Sequence, residues 1–311
     1  MTEVAAIGGY SDSERAAYAE IGAVFHDTLS DLLAAPEDER AGVRVVAYKH
    51  HQAFGAAEMD KLPALALIAN YGVGYDAISI PDADARGVKV TNTPNVLNDD
   101  VADLAIAMLL MQARGLVQGD AWVRSGTWAK EGPPPLARKV SGSRAGVVGL
   151  GRIGREIADR LAALKLEVHY HSRSEKETPG WTYHADPVSL ADAVDFLVVA
   201  LVGGPETEHY VSREVIDALG PQGVIVNISR GSTIDEGAML DALEQGGLAG
   251  AGLDVFQGEP KVDPRFLELD NVVLQPHVGS ATHGTRADMG KLQRRNVTAF
   301  LAGDALETPV N

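Results

Sequence analysis

Few patterns leave a chain as little choice of fold as an apolar strand that runs without a break into spaced glycines and then a helix. Residues 144–154 read Arg-Ala-Gly-Val-Val-Gly-Leu-Gly-Arg-Ile-Gly, which puts Gly149, Gly151 and Gly154 at the strand-to-helix turn. Gly149 permits the tight turn, Gly151 lets the backbone come close to a pyrophosphate, and Gly154 lets the helix pack on the strand. The first amides of the helix then face the phosphates at the positive end of its dipole. Three glycines alone are a weak signal; with a strand before them and a helix after, they point to a dinucleotide.

The residues that follow supply the sheet such a turn needs. Strands are expected at 146–149, 167–170, 196–200, 223–227 and 250–253, separated by helices at 153–164, 188–193, 213–218 and 236–245. This alternation implies an α/β fold with a doubly wound parallel sheet covered by helices on both faces. Upstream, strands are expected at 4–8, 43–47, 64–69 and 88–91, and residues 13–33 read as mostly helical. Residues 81–87 read as a short helix with Pro81 early and Gly87 at its end. A long helix starts near Asp99. Its interior, residues 101–113, is almost entirely apolar and is expected to be buried on most sides, between domains or between subunits. Residues 132–135 are a stiff connector and 284–301 a last helix. With 311 residues, 45% hydrophobic and 23% charged, the chain has room for two globular domains.

Composition removes several kinds of chemistry. Without cysteine there is no disulfide, no thiolate metal site and no thiol nucleophile. A net charge of −16 speaks against nucleic acid or an anionic membrane as partner. The first ten residues lack the basic and apolar regions of a secretory signal, and no apolar run reaches the roughly 18–20 residues that span a bilayer. A cytoplasmic protein is expected. No His-x-x-x-His metal spacing, P-loop or Gly-x-Ser-x-Gly elbow occurs, so no metal is expected.

The end of the second strand in the series discriminates between dinucleotides. An NAD site places Asp or Glu there, hydrogen-bonded to the adenosine ribose. This chain has His171-Ser172-Arg173-Ser174, with Lys176 just beyond. No carboxylate stands there to repel a 2′-phosphate, while a guanidinium and two hydroxyls are placed to bind it. Ser172, Arg173 and Ser174 therefore point to NADP(H) over NAD(H); the plainer alternative makes Arg173 a solvated loop charge.

Farther along, Arg230 lies in Ile-Ser-Arg-Gly-Ser, Glu259 in Asp-Val-Phe-Gln-Gly-Glu-Pro and His277 in Leu-Gln-Pro-His-Val-Gly-Ser, each in a loop past an expected strand. That is the sheet edge where doubly wound folds bind ligands. Reducing a keto acid takes a hydride donor, a proton donor for the carbonyl oxygen and a cation for the carboxylate. Histidine suits the proton because its pKa lies near physiological pH, and a buried glutamate beside it favours the imidazolium. Arginine suits the anion because its planar fork grips oxygens in fixed geometry. Taken singly, each has a plainer reading as a satisfied loop histidine, a solvated glutamate or a turn arginine. Their joint occurrence with the glycine turn selects the catalytic one. His50 and His51 could line a substrate pocket or face water, and water is preferred.

At these residues the chain resembles the D-isomer-specific 2-hydroxyacid dehydrogenase family over nearly its whole length. The matching segments are Asn70-Tyr-Gly-Val-Gly-Tyr-Asp, Asn92-Thr-Pro-Asn-Val-Leu, Val101-Ala-Asp-Leu-Ala, Gly149-Leu-Gly-Arg-Ile-Gly, Asn227-Ile-Ser-Arg-Gly, Gly252-Leu-Asp-Val-Phe and Pro276-His-Val-Gly-Ser-Ala-Thr. Within the family the Ser172-Arg173-Ser174 strand end is most similar to NADPH-preferring glyoxylate/hydroxypyruvate and hydroxyphenylpyruvate reductases. The resemblance implies a flavodoxin-like substrate-binding domain over residues 1–93 and 282–311 and a Rossmann-type NADP-binding domain over 94–281. It implies an active site in a cleft that closes by hinge motion, and a homodimer built around the 101–113 helix and the arm after it. It also implies that the amides of Val73 and Gly74 bind the substrate carboxylate with Arg230, and that Arg152 and Ile153 contact the pyrophosphate. Asp254 would hold the nicotinamide carboxamide, with Gly279 and Ser280 nearby. The chain departs from the commoner pattern at Asn98 (often Thr), Ser229 (often Ala), Lys165 (often Gly) and the loop Leu201-Val-Gly-Gly-Pro-Glu-Thr.

The expected activity is NADPH-dependent reduction of a small 2-keto acid to the D-2-hydroxy acid, with His277 giving the proton. Two alternatives stand. One is NAD-dependent oxidation of a D-2-hydroxy acid, phosphoglycerate dehydrogenase-like, which the Ser-Arg-Ser strand end disfavours. The other is a non-enzymatic dinucleotide-sensing protein, since fold does not fix function.

Overall fold

The computed structural model describes residues 3–311, which divide into two compact units. The residues up to Leu97 join Thr282–Asn311 in one, and Asn98–Ala281 form the other. The break falls at the foot of a long helix, Asn98–Arg114, and not at residue 93. Thr93 is still tied into the first unit: its amide donates to the Gly72 carbonyl at 2.9 Å, and its hydroxyl oxygen accepts from the Gly72 amide at 3.0 Å.

The first unit holds strands β1 (Val4–Gly8), β2 (Val24–His26), β3 (Val45–Lys49), β4 (Leu67–Asn70) and β5 (Lys89–Thr91), all parallel in the order β2-β1-β3-β4-β5. Alternate side chains go to opposite faces. Ala5, Ile7, Val46, Tyr48, Ile68 and Val90 enter one apolar cluster, while Val4, Ala6, Val45, Ala47, Leu67 and Ala69 enter another. A parallel sheet needs both faces covered, and the C-terminal helix His283–Ala302 covers the second through Val297 and Phe300. The helix expected over 13–33 is instead a helix (Asp12–Ala19), the strand β2 and a second helix (Leu29–Ala34). Two capping boxes, Ser11 with Glu14 and Thr28 with Asp31, start separate helices, and Gly22 turns the chain between them at φ 70°.

The second unit holds β6 (Arg144–Val148), β7 (Glu167–His171), β8 (Thr182–His184), β9 (Phe196–Val199), β10 (Val224–Asn227), β11 (Gly250–Leu253) and β12 (Val272–Leu274). They form one parallel sheet in the order β12-β11-β10-β9-β6-β7-β8. The short strands β8 and β12 extend the expected series at its two edges. Because β6 neighbours β9, the winding direction reverses there, and doubly wound folds bind ligands at that switch point. The helix Asn98–Arg114 buries Val101, Ala102, Ala105, Met108, Leu109 and Ala113 and packs on the helix Arg152–Ala163 and on β10–β12 of its own unit. Gly252 permits this approach, since a Cβ there would lie 2.9 Å from the Met108 Cβ. Within the single chain the apolar interior packs against its own unit, and Ile106, Ala107, Leu110 and Met111 stay half-buried. Among the described residues no helix is long and apolar enough to cross a membrane.

Candidate active site

Every ionisable candidate singled out above in the second unit lies at the carboxyl end of one of its strands. After β6, Gly149 takes φ 98°, and a Cβ on it would lie 2.7 Å from the Ala200 carbonyl oxygen. A Cβ on Gly154 would lie 2.0 Å from the Gly149 carbonyl oxygen. Both glycines are demanded by packing. Gly151 is different, for open space surrounds the position of its missing Cβ. It caps the helix Arg152–Ala163 without any side chain bonded to the helix start. An open glycine at an uncapped helix N-terminus, beside the amides of Arg152 and Ile153, fits a pyrophosphate.

After β7, His171 is buried; its Nε2 meets the Tyr210 hydroxyl at 2.7 Å and its Nδ1 the His184 carbonyl at 2.9 Å. The residues beyond it turn outward. Ser172 donates through Oγ to the Ser174 carbonyl at 2.6 Å, and the side chains of Arg173 and Ser174 are exposed.

After β10, a buried polar turn carries Arg230. The Asn227 Oδ1 accepts from the Ser229 amide at 3.0 Å and hydroxyl at 2.8 Å, while Asn227 Nδ2 and the Thr233 hydroxyl donate to the Arg230 carbonyl at 3.0 and 2.6 Å. The hydroxyl of Ser229 is thus part of the turn. Gly231 lies flat against the next loop: a Cβ on it would sit 2.0 Å from the Phe256 carbonyl carbon. The missing side chain is what lets the arginine loop and the glutamate loop touch.

After β11 and β12 the two remaining groups meet. The Glu259 Oε1 accepts from the Phe256 amide at 2.9 Å, and its Oε2 pairs with His277 Nδ1 at 2.8 Å. Their side chains are 31% and 33% exposed, so the glutamate is not buried as expected but opens with the histidine toward solvent. Asp254 is buried; its two carboxylate oxygens accept from the Val278 amide at 2.7 Å and the Gly279 amide at 2.8 Å, and its carbonyl from the His277 amide at 2.9 Å. Burial pushes the Asp254 carboxyl above its ordinary range, with the two amides acting against it. These bonds hold His277 at φ 54°, a left-handed conformation that a non-glycine residue keeps only where its surroundings enforce it.

Sequence reasoning missed one group in this constellation. Glu236, in the first turn of the helix Glu236–Gln245, is buried, and its Oε2 accepts from the Gln257 amide at 2.8 Å. Burial raises its carboxyl too. A glutamate in a first helical turn normally suits the dipole while facing water, so nothing in its spacing announced a brace for the loop of Glu259.

In the first unit, the turn after β4 carries Val73 and Gly74. Asn70 Nδ2 donates to the carbonyls of Gly72 and Gly74 at 3.2 and 2.8 Å, and Asn92 Nδ2 to that of Val73 at 2.9 Å. The turn is anchored through its carbonyls. His50 accepts at Nδ1 from the Gln52 amide at 3.0 Å, a local turn contact, and His51 is exposed.

Known proteins resemble this chain in sequence and fold. Residues 106–279 match the family model for the NAD-binding domain of D-isomer-specific 2-hydroxyacid dehydrogenases. Hydroxyphenylpyruvate reductase of Plectranthus scutellarioides is 46% identical over 86% of this chain and 85% of its own. A glyoxylate/hydroxypyruvate reductase of Arabidopsis thaliana is 43% identical over 88% and 87%. Among solved structures, the NADPH-dependent glyoxylate/hydroxypyruvate reductase of Sinorhizobium meliloti, in complex with NADP and malonate, superposes with a TM-score of 0.93 at 40% identity, covering 100% of this chain and 97% of the other. A 2-hydroxyacid dehydrogenase from Ketogulonicigenium vulgare gives 0.91 at 45% identity, covering 100% and 99%.

Proposed function

Since the chain belongs to the D-isomer-specific 2-hydroxyacid dehydrogenase family, we propose that it reduces a small 2-keto acid, of the glyoxylate or hydroxypyruvate kind, to the D-2-hydroxy acid with NADPH. The observation that carries this reading is the Glu259–His277 pair at 2.8 Å, on neighbouring strand ends of the sheet that also bears the glycine turn.

NADPH, when bound, supplies the hydride. Gly149, Gly151, Arg152, Ile153 and Gly154 cradle its pyrophosphate, Ser172, Arg173 and Ser174 take its 2′-phosphate, and Asp254, Gly279 and Ser280 border the nicotinamide. Arg230 binds the substrate carboxylate; its Nη1 donates to the Ser229 carbonyl at 2.8 Å, which restrains the fork before substrate arrives. The turn at Val73 and Gly74 offers amide donors to the substrate. His277, paired through Nδ1, gives its proton from Nε2 to the carbonyl oxygen as the carbon is reduced. Across Nδ1 the Glu259 carboxylate fixes the orientation of the ring that carries the acid. The first unit serves as substrate-binding domain and the second as cofactor domain. Exposed Leu116, Val117, Val123 and Trp128 in the arm after the long helix support a homodimer, and the protein is read as cytoplasmic.

The test is NADPH oxidation, followed by absorbance, against glyoxylate, hydroxypyruvate, pyruvate, phenylpyruvate and hydroxyphenylpyruvate. Turnover is expected, fastest with the small acids. Silence across the panel while NADPH still binds would overturn the reductase in favour of a dinucleotide sensor.

A further inference from the structure

We infer that Tyr170 is a positioning residue for dinucleotide choice: its hydroxyl holds the loop that carries Arg173 in the shape that receives a 2′-phosphate. The inference rests on the NADPH reading above. Tyr170 is the penultimate residue of β7 and is 1% exposed. Its hydroxyl oxygen accepts from the Lys176 amide at 2.9 Å and donates to the Lys176 carbonyl at 3.0 Å. Both backbone polar groups of one loop residue thus end on a single buried oxygen, and residues 171–176 are closed into a loop fixed at both ends.

Neighbouring groups finish the clamp. The Tyr183 ring packs 5.5 Å from the Tyr170 ring between centroids, and its hydroxyl reaches the Ser172 carbonyl at 3.4 Å. On the far side, Arg155 of the helix after the glycine turn donates to the Glu177 carbonyl at 2.8 Å and lies 4.7 Å over the Trp181 ring. The loop itself reads Ser-Arg-Ser-Glu-Lys-Glu and has no apolar side chain to bury, so its own composition cannot order it. Order comes from the tyrosine beneath it.

A loop ordered in advance loses less conformational freedom when it closes on a ligand. The 2′-phosphate is the one group NADPH has and NADH lacks, so releasing the loop weakens NADPH alone. Release also lets the Glu175 and Glu177 carboxylates approach the phosphate, and their repulsion acts in the same direction.

The experiment is direct binding of NADPH and of NADH, without substrate, by nucleotide fluorescence or calorimetry, to the parent, Tyr170→Phe and Tyr183→Phe. The expected result is a roughly tenfold loss of NADPH affinity in Tyr170→Phe, about what freeing one backbone residue costs, with NADH affinity unchanged. Tyr183→Phe, whose contact is longer, shows a smaller loss of the same selectivity, and it alone decides if Tyr170→Phe does not fold. Equal losses for the two nucleotides, or none, would overturn the inference. A parent that already binds NADH as tightly as NADPH would overturn the underlying cofactor reading as well, and that outcome is visible before any substitution is made.

Discussion

The two parallel sheets finish their carboxyl edges in opposite ways. In the first unit Gln293, 1% exposed, accepts from the hydroxyls of Tyr10 and Tyr18 at 3.2 and 2.9 Å and donates to the Ala69 carbonyl at 2.7 Å. Burial raises both phenols well above their ordinary range, so they stay neutral donors. Lys49, the last residue of β3, pairs with Glu14 at 3.1 Å and lies 4.3 Å over the Tyr71 ring. The charge of Lys49 is thus neutralised inside the unit. In the second unit the buried polar groups Asn227, Glu236 and Asp254 bind backbone amides or carbonyls, and the ionisable tips they support stay partly open. The same fold offers both edges a row of strand ends. At the second edge the buried polar groups hold the backbone, and Glu259 and His277 stay partly exposed.

That contrast can be broken most sharply at His277. His277→Ala is expected to lower turnover by about 10²–10⁴-fold while NADPH affinity stays the same; near-normal turnover would remove the second unit's claim to the acid. Arg230→Lys keeps the charge but loses the fork, and kcat/KM should fall about tenfold to a hundredfold, mostly through KM, measured with the best acid of the panel. In the first unit the expectation reverses. Gln293→Leu strands two phenol hydroxyls and a carbonyl in the core and should destabilise by about 3 kcal/mol in a denaturant melt, with kcat retained. A lost kcat at full stability would show that the Gln293 network serves the reaction and not only the fold.

The smallest effect sharpens the role of Glu236. Burial raises its carboxyl, so the folded chain holds the proton more tightly than the unfolded one. Its contribution to stability therefore falls as pH rises through the ordinary carboxylate value, about 4.3, toward the folded one. Glu236→Gln keeps an oxygen for the Gln257 amide and removes the titration. The difference in thermal midpoint between variant and parent should shift in the variant's favour from acid to neutral pH. A difference that ignores pH would mean the carboxyl does not titrate differently on folding.

Much of this arrangement was legible locally. The glycine turn, the Ser-Arg-Ser strand end and the loops of Arg230, Glu259 and His277 could be placed because strand, turn and helix signals are read from near neighbours. The edge strands β2, β8 and β12 were not: each has three residues, and none follows a helix with proline early and glycine at its end, as the equally short β5 does. Lys165 shows the same limit: it takes φ 65°, and its side chain gives no sign of it.

The order of amino acids by itself determined where the strands stop and which glycines could turn there, because backbone conformation answers to adjacent residues. Only the tertiary structure decided that Glu236 braces the loop of Glu259, and that Gly231 lets the loops of Arg230 and Glu259 touch. Burial and hydrogen bonding depend on atoms distant in the chain, and these came together when β10, β11 and β12 paired side by side.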